Sequence, residues 1–255
     1  MNIWTYWEGP AWPHIKTCFD TARMVLGDDW KLVTPRNLQQ FLPNIDDLIH
    51  PNWRQVPEIG PKVCAIRSAL IYRYGGMWAD ADTIWLQHPR ILPDCRSFGI
   101  DFLYSTWPNG KRRVQSGYFV APPRSDVVKQ WIDGNNYTLE HEFSLDRDWW
   151  LVLGEHTLTP AVDAAPVGTA VQVDYRTFLP LDVDSSSHAL FEPGDWKELT
   201  IPESVCFGLS NSWMMAHHWD KLLVCPRCVS RSPLLFHQLL HDTYNKIRAW
   251  KTRQT

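Results

Sequence analysis

The chain opens on a run of aromatic and β-branched residues, Asn2 to Trp7 (NIWTYW), which predicts a first strand. Gly9-Pro10 and Trp12-Pro13 break it into a loop. Ile15, Cys18, Phe19, Ala22, Val25 and Leu26 then recur at helical spacing, predicting a helix over 13–26 that stops at Gly27. Lys31 to Thr34 read as a second short strand. Residues 35–60 are polar and proline-punctuated, with room for one short helix. From Pro61, Val63, Ile66, Ala69, Leu70 and Tyr74 carry a helix to Gly75. Strand patterns recur at 77–80, 83–86, 100–105, 117–121 and 171–175. Residues 125–133 and 142–164 look helical, and 176–210 read as loop. A final helix over 233–250 carries Leu234, Leu235, Leu239, Leu240, Tyr244 and Ile247 on one broad face. The early β-α-β, then α-β, alternation predicts an α/β layer architecture with an open sheet. Ligands in such sheets bind beyond the carboxyl ends of the strands.

The chain has 255 residues and shows no repeat, linker or low-complexity tract, so 1–255 is expected to form one domain. With 44% hydrophobic and 21% charged residues it is globular in composition. The net charge of −3 argues against nucleic acid as a partner. Six cysteines, at 18, 64, 95, 206, 225 and 228, are too scattered for a secreted disulfide framework. The lone Cys225-x-x-Cys228 lacks the second pair that a structural zinc needs. Residues 1–8 lack the features of a signal peptide, and no apolar window is long enough to span a membrane. A cytoplasmic setting is therefore expected. The last segment, about 230–255, is a basic amphipathic helix: Arg231, Lys246, Arg248, Lys251 and Arg253 face only Asp242. Its simpler reading is a docked helix with a solvated basic edge; the other is peripheral contact with an anionic membrane, with Trp250 at the surface. Fifteen tryptophans are mostly core candidates, a few of them available to stack on a sugar ring or a base.

The chemistry concentrates in residues 72–82, YRYGGMWADAD. A helix runs into Gly75-Gly76, a short apolar strand follows, and two carboxylates come next, Asp80 and Asp82. In an extended chain they would stand side by side, with Cα atoms roughly 6–7 Å apart. Adjacent carboxylates repel unless a positive charge lies between them, and a hard divalent cation is the natural one. Apolar residues (Ile84, Trp85, Leu86) resume at once, which sets the pair apart from a solvated turn. An EF-hand is excluded, because the positions needing an oxygen ligand and a glycine are Ile84 and Trp85. An Asp-x-Asp phosphohydrolase would need a downstream lysine and a second acidic pair, and no convincing version of them is present.

YRYGGMWADAD resembles the DXD sugar-transferase group, the glycosyltransferase family 32-like proteins. These include initiating mannosyltransferases, α-1,4-galactosyltransferases and capsular polysaccharide synthesis proteins. Arg67, Leu70 or Ile71, Gly75, Gly76, Trp78, Asp80 and Asp82 fit its core pattern. The opening IWTYWEGPAWP and the late MMAHHW, with His217, resemble its first strand and its Ala-x-His-x-Trp motif. Cys64 stands where the group has Asp, Ser116 where it has Asn, and Glu155 where it has Pro. The first departure bears on donor identity more than on reaction class. The resemblance implies a single-domain glycosyltransferase A-type fold, an open mixed sheet flanked by helices. It implies a retaining hexosyltransferase that uses a UDP- or GDP-sugar, with Mn²⁺ or Mg²⁺ as cofactor and a glycan or lipid-linked acceptor. Asp80, Asp82 and His217 are the expected metal ligands, and Asp80, Asp82 and Arg67 the expected catalytic set. Thr5, Tyr6, Trp7, Arg67, Gly76 and Asp80 are expected on the donor side. Glu155, His156, Asp148 and Asp146 are candidates on the acceptor side. The alternatives are a non-catalytic sugar- or nucleotide-binding module and, behind it, the phosphohydrolase.

Overall fold

The structure is a computed structural model that describes residues 1–107, 113–149, 151–178, 188–209, 227 and 229–254. Its frame is a six-stranded sheet with spatial order β2-β1-β3-β6-β5-β7. The strands are β1 (Ile3–Tyr6), β2 (Trp30–Val33), β3 (Gly76–Ala79), β5 (Phe102–Thr106), β6 (Val114–Ala121) and β7 (Ala170–Gln172). β1 lies parallel to β2 and β3, and β7 parallel to β5, whereas β6 runs against both β3 and β5. β4 (Thr83–Trp85) and β8 (Cys206–Gly208) form a separate antiparallel pair. The expected open mixed sheet flanked by helices is therefore present.

The period of two along each strand sends alternate residues to opposite faces. Trp4, Trp78, Phe102 and Phe119 enter one core, with α3 (Ile59–Tyr74), α5 (Asp126–His141) and α6 (Glu155–Asp163). Ile3, Met77, Leu103 and Val120 enter the other, against Ala22 and Leu26 of α1 (Pro13–Leu26). Two further short helices among the described residues are α2 (Leu38–Phe41) and α4 (Cys95–Phe98). The last helix, α7 (Leu235–Thr252), packs Phe236, Leu239 and Leu240 against Ile84 and Phe207 of the small sheet.

α3 is buried on every side through its middle, from Cys64 to Ile71. An arginine there, Arg67, must have its charge met inside the protein. The helix stops at Gly75, whose N–H still bonds Ile71 O at 2.8 Å. Gly75 and Gly76 have φ of 64° and 105°. A Cβ on Gly75 would meet the Pro123 backbone N at 2.5 Å, and one on Gly76 would meet Asn2 O at 2.2 Å. Only glycine turns the chain here so directly from helix into strand.

Three segments depart from the sequence reading. Residues 35–60 are not merely polar: Leu42, Ile45, Ile49, Trp53 and Val56 lie in the main core between short helical turns. Residues 142–149 and 151–154 form bends, turns and irregular chain rather than the start of a helix. Ser144 explains part of this, since its Oγ accepts from Asp146 N and its carbonyl from Trp149 Nε1, bonds that compete with helix. Finally, β8 lies in a stretch that reads as loop, because three residues are too few to show a period. Among the described residues no helix is long and apolar enough to cross a membrane.

Candidate functional site

Because β6 is reversed, its first residues meet the last residues of β3 and β5 at one sheet edge. Ala79 pairs with Tyr118, and Thr106 with Val114. Asp80 leaves the sheet at this edge, and its N–H bonds Gly117 O at 3.1 Å. The chain then bends through Ala81 and Asp82 into β4, so the two aspartates sit on a bend rather than on an extended strand. Asp80 is about one-third exposed and its carboxylate is held firmly. Its Oδ1 accepts from Trp78 Nε1 at 2.9 Å and lies 3.1 Å from Arg67 Nη2. The guanidinium of Arg67 stands 5.1 Å from the Trp78 ring centre, and its Nη1 donates to the Ser116 carbonyl and, at 3.2 Å, to Ser116 Oγ.

The turn is fixed from below by a hydroxyl pair. Thr83 Oγ1 donates to Asp80 O and lies 2.8 Å from Tyr118 Oη. Burial drives the Tyr118 phenol well above its usual range, and the carboxylates of Asp82 and Asp80 add to that. Burial and then Asp82 likewise raise the Cys18 thiol on α1. Asp82 thus lies close to both groups, and its carbonyl accepts from Leu209 N at 2.9 Å.

On the far side of Arg67, Gly154 lies against the Cys64 thiol and the Ser116 hydroxyl. The next residue, Glu155, begins α6 and is only 5% exposed. Its Oε1 accepts from Trp107 Nε1 at 2.5 Å, and Arg113 Nη1 stands 4.0 Å from its Oε2. Trp107 follows the end of β5 and Arg113 precedes β6. A continuous set of contacts therefore runs from Asp80 through Arg67 and Ser116 to the start of α6.

Of the expected site residues, the structure gathers Arg67, Asp80, Asp82 and Glu155 at this edge. Arg67 is buried with both Nη atoms engaged by Asp80 and Ser116, while its buried Nε has no hydrogen-bond partner among the described residues. Gly76 stands at the opposite end of β3 from the aspartates, paired with Ala121, where it serves the backbone turn. Thr5 is buried and ties β1 to β3 through Ala79 O at 3.1 Å. Tyr6 is also buried and donates to Glu8 at 2.6 Å, while Trp7 is half-buried and donates to Gly9 O. His156, Asp146 and Asp148 are exposed. His217 and Cys225 to Cys228, apart from Arg227, lie outside the described residues. Among the described residues no third metal-ligating side chain joins the aspartates.

Sequence reading passed over Gly117, Tyr118, Thr83 and Trp107. A glycine inside a strand does signal a close approach: a Cβ on Gly117 would stand 2.7 Å from Asp80 Oδ2. The other three carry no local signal.

No family model matches the chain, and no curated protein matches it in sequence. Among solved structures, one described as PaToxG Glycosyltransferase overlays with a TM-score of 0.47 at 12% identity, covering 63% of this chain and 68% of the other. A likeness this partial fixes neither family nor activity, and the chemistry rests on the side chains described above.

Proposed function

We propose that this chain is a metal-dependent glycosyltransferase. It moves a hexose-type sugar from a UDP- or GDP-sugar to a glycan or lipid-linked acceptor, with retention of configuration. One observation carries the reading: two aspartates on a fixed bend at the carboxyl edge of β3, the first held by a buried arginine and a tryptophan N–H. A solvated Asp-x-Asp turn has no need of a buried guanidinium beneath it. Asp80 and Asp82 supply hard oxygen donors suited to Mn²⁺ or Mg²⁺, with His217 as the third candidate ligand and donor oxygens filling further positions. When bound, such a cation offsets the negative charge that grows on the departing diphosphate.

The protein's own residues do the rest. Arg67 keeps Asp80 oriented, so that the carboxylate meets the donor without reorganising. Tyr118 and Thr83 hold the backbone of the bend. Front-face attack by the acceptor hydroxyl needs no protein nucleophile.

The deciding assay measures hydrolysis of a panel of UDP- and GDP-sugars with Mn²⁺. Chelation is expected to abolish turnover, and Asp82→Asn to lower it at least about 100-fold. Hydrolysis that survives both would sink the proposal. Donor binding without turnover in the wild type points instead to a binding module, and release of phosphate from simple phosphomonoesters to a phosphohydrolase.

A further inference from the structure

The geometry points to a second subsite at the same edge, in which Trp107 forms a wall for the pyranose ring of the acceptor and Glu155 is the residue that positions Trp107. The inference rests on the sugar-transfer reading above and goes beyond it in naming where the acceptor sits.

Trp107 leaves the sheet where β5 ends, two strands from Asp80, and its indole is only half-buried. Its N–H is fixed by a carboxylate that is itself 5% exposed. Burying a carboxylate is costly, and a neutral acceptor would serve an indole N–H whose only task was packing. Arg113 Nη1, 4.0 Å from Oε2, and the place of Glu155 in the first turn of α6 offset the charge. The charge-assisted bond is short and directional, so it fixes the ring plane rather than merely filling space.

An indole with its polar atom satisfied presents an apolar face, and the C–H face of a pyranose is the complement of such a surface. Trp107 and the start of α6 lie on the Ser116 side of Arg67, away from Asp82. Donor diphosphate and acceptor ring would thus occupy neighbouring places along one sheet edge, with Arg67 and Ser116 as the partition. On this assignment Glu155 is not a base for the acceptor hydroxyl, since its Oε1 is committed to Trp107.

Full-length protein labelled with 5-fluorotryptophan tests this, with Trp107→Phe identifying the Trp107 resonance. Titration with a panel of methyl α- and β-hexopyranosides, without donor, is expected to shift that resonance saturably for at least one sugar. Glu155→Gln keeps an oxygen acceptor but loses the charge-assisted bond, and is expected to weaken binding about threefold. Glu155→Ala is expected to weaken binding at least about tenfold, and the remaining fluorine resonances report whether that variant is folded. A silent Trp107 resonance across the whole panel overturns the subsite. So does loss of binding in Glu155→Gln as complete as in Glu155→Ala. Hydrolysis absent with the titration intact sinks the transferase reading alone; hydrolysis intact with a silent resonance sinks the subsite alone.

Discussion

Asp80 is held from one side by Arg67 and Trp78, and on the other its Oδ2 lies against the bare Cα of Gly117. Two carboxylate oxygens thus have two different tasks, one given to the protein and one turned along the sheet edge. Gly117→Ala places a methyl 2.7 Å from Oδ2, a contact that the carboxylate must yield. The displaced atom ends a side chain that is partly exposed, so the stability cost is expected below about 1 kcal/mol. The carboxylate would nevertheless be off its place, and a shift on this scale is expected to lower donor hydrolysis at least about tenfold. Urea denaturation together with the hydrolysis assay separates the two effects; a large loss of stability, or unchanged turnover, contradicts this account. Asp80 and Asp82 were legible in the sequence because they are adjacent along the chain. Gly117, Tyr118 and Trp107 were not, because their partners are 35 or more residues away and meet them only through the fold.

At the scale of elements, the hinge Gly75-Gly76 joins the helix that carries Arg67 to the strand that presents Asp80. Alanine at Gly76 would drive a methyl into Asn2 O at 2.2 Å, where only backbone can give way, and would also hold φ at 105°. Gly76→Ala is therefore expected to destabilise the protein by at least about 3 kcal/mol, read as a lowered urea midpoint. An unchanged midpoint would show that β1 and β3 can shift apart. Long periodic elements were readable: α1 spans the expected 13–26, and α3 differs from its expected start by two residues. Residues 142–149 and 151–154 were not. Their buried Trp149, Val152 and Leu153 suggest a helix, but each is anchored singly, and Leu151 takes a positive φ of 72° that interrupts any regular turn. β8 exists through its pairing with β4, an interaction that no window of sequence contains.

For the whole molecule, several acidic groups are locked inside in neutral form. Burial pushes Tyr118, Cys18 and Cys206 well above their ordinary values of 10.0 and 9.0, and raises Cys64 and Cys95 as well, the last to about 11. A raised folded value means that the folded chain keeps protons which the unfolded chain releases. The stabilisation is complete below the ordinary thiol value and is lost as pH climbs past it, by at most about 1.4 kcal/mol per pH unit for each group. The urea midpoint is expected to fall steeply between about pH 9 and pH 10.5; a flat profile over that interval contradicts the burial of these groups.

The reversed strand β6 also has a consequence in time. β1 and β3 become neighbours only across some 70 residues of chain, and β6 must then insert between β3 and β5 against their direction. Pairings of such long sequence separation form slowly. A nascent chain that has just released Asp82 from the ribosome carries both aspartates but lacks Ser116, Gly117 and Glu155. Until β6 emerges, β3 presents an open flank to any other strand nearby, a hazard of association rather than a place for a donor. Competence at this edge is thus acquired late in synthesis, once residues beyond Glu155 are available to close it.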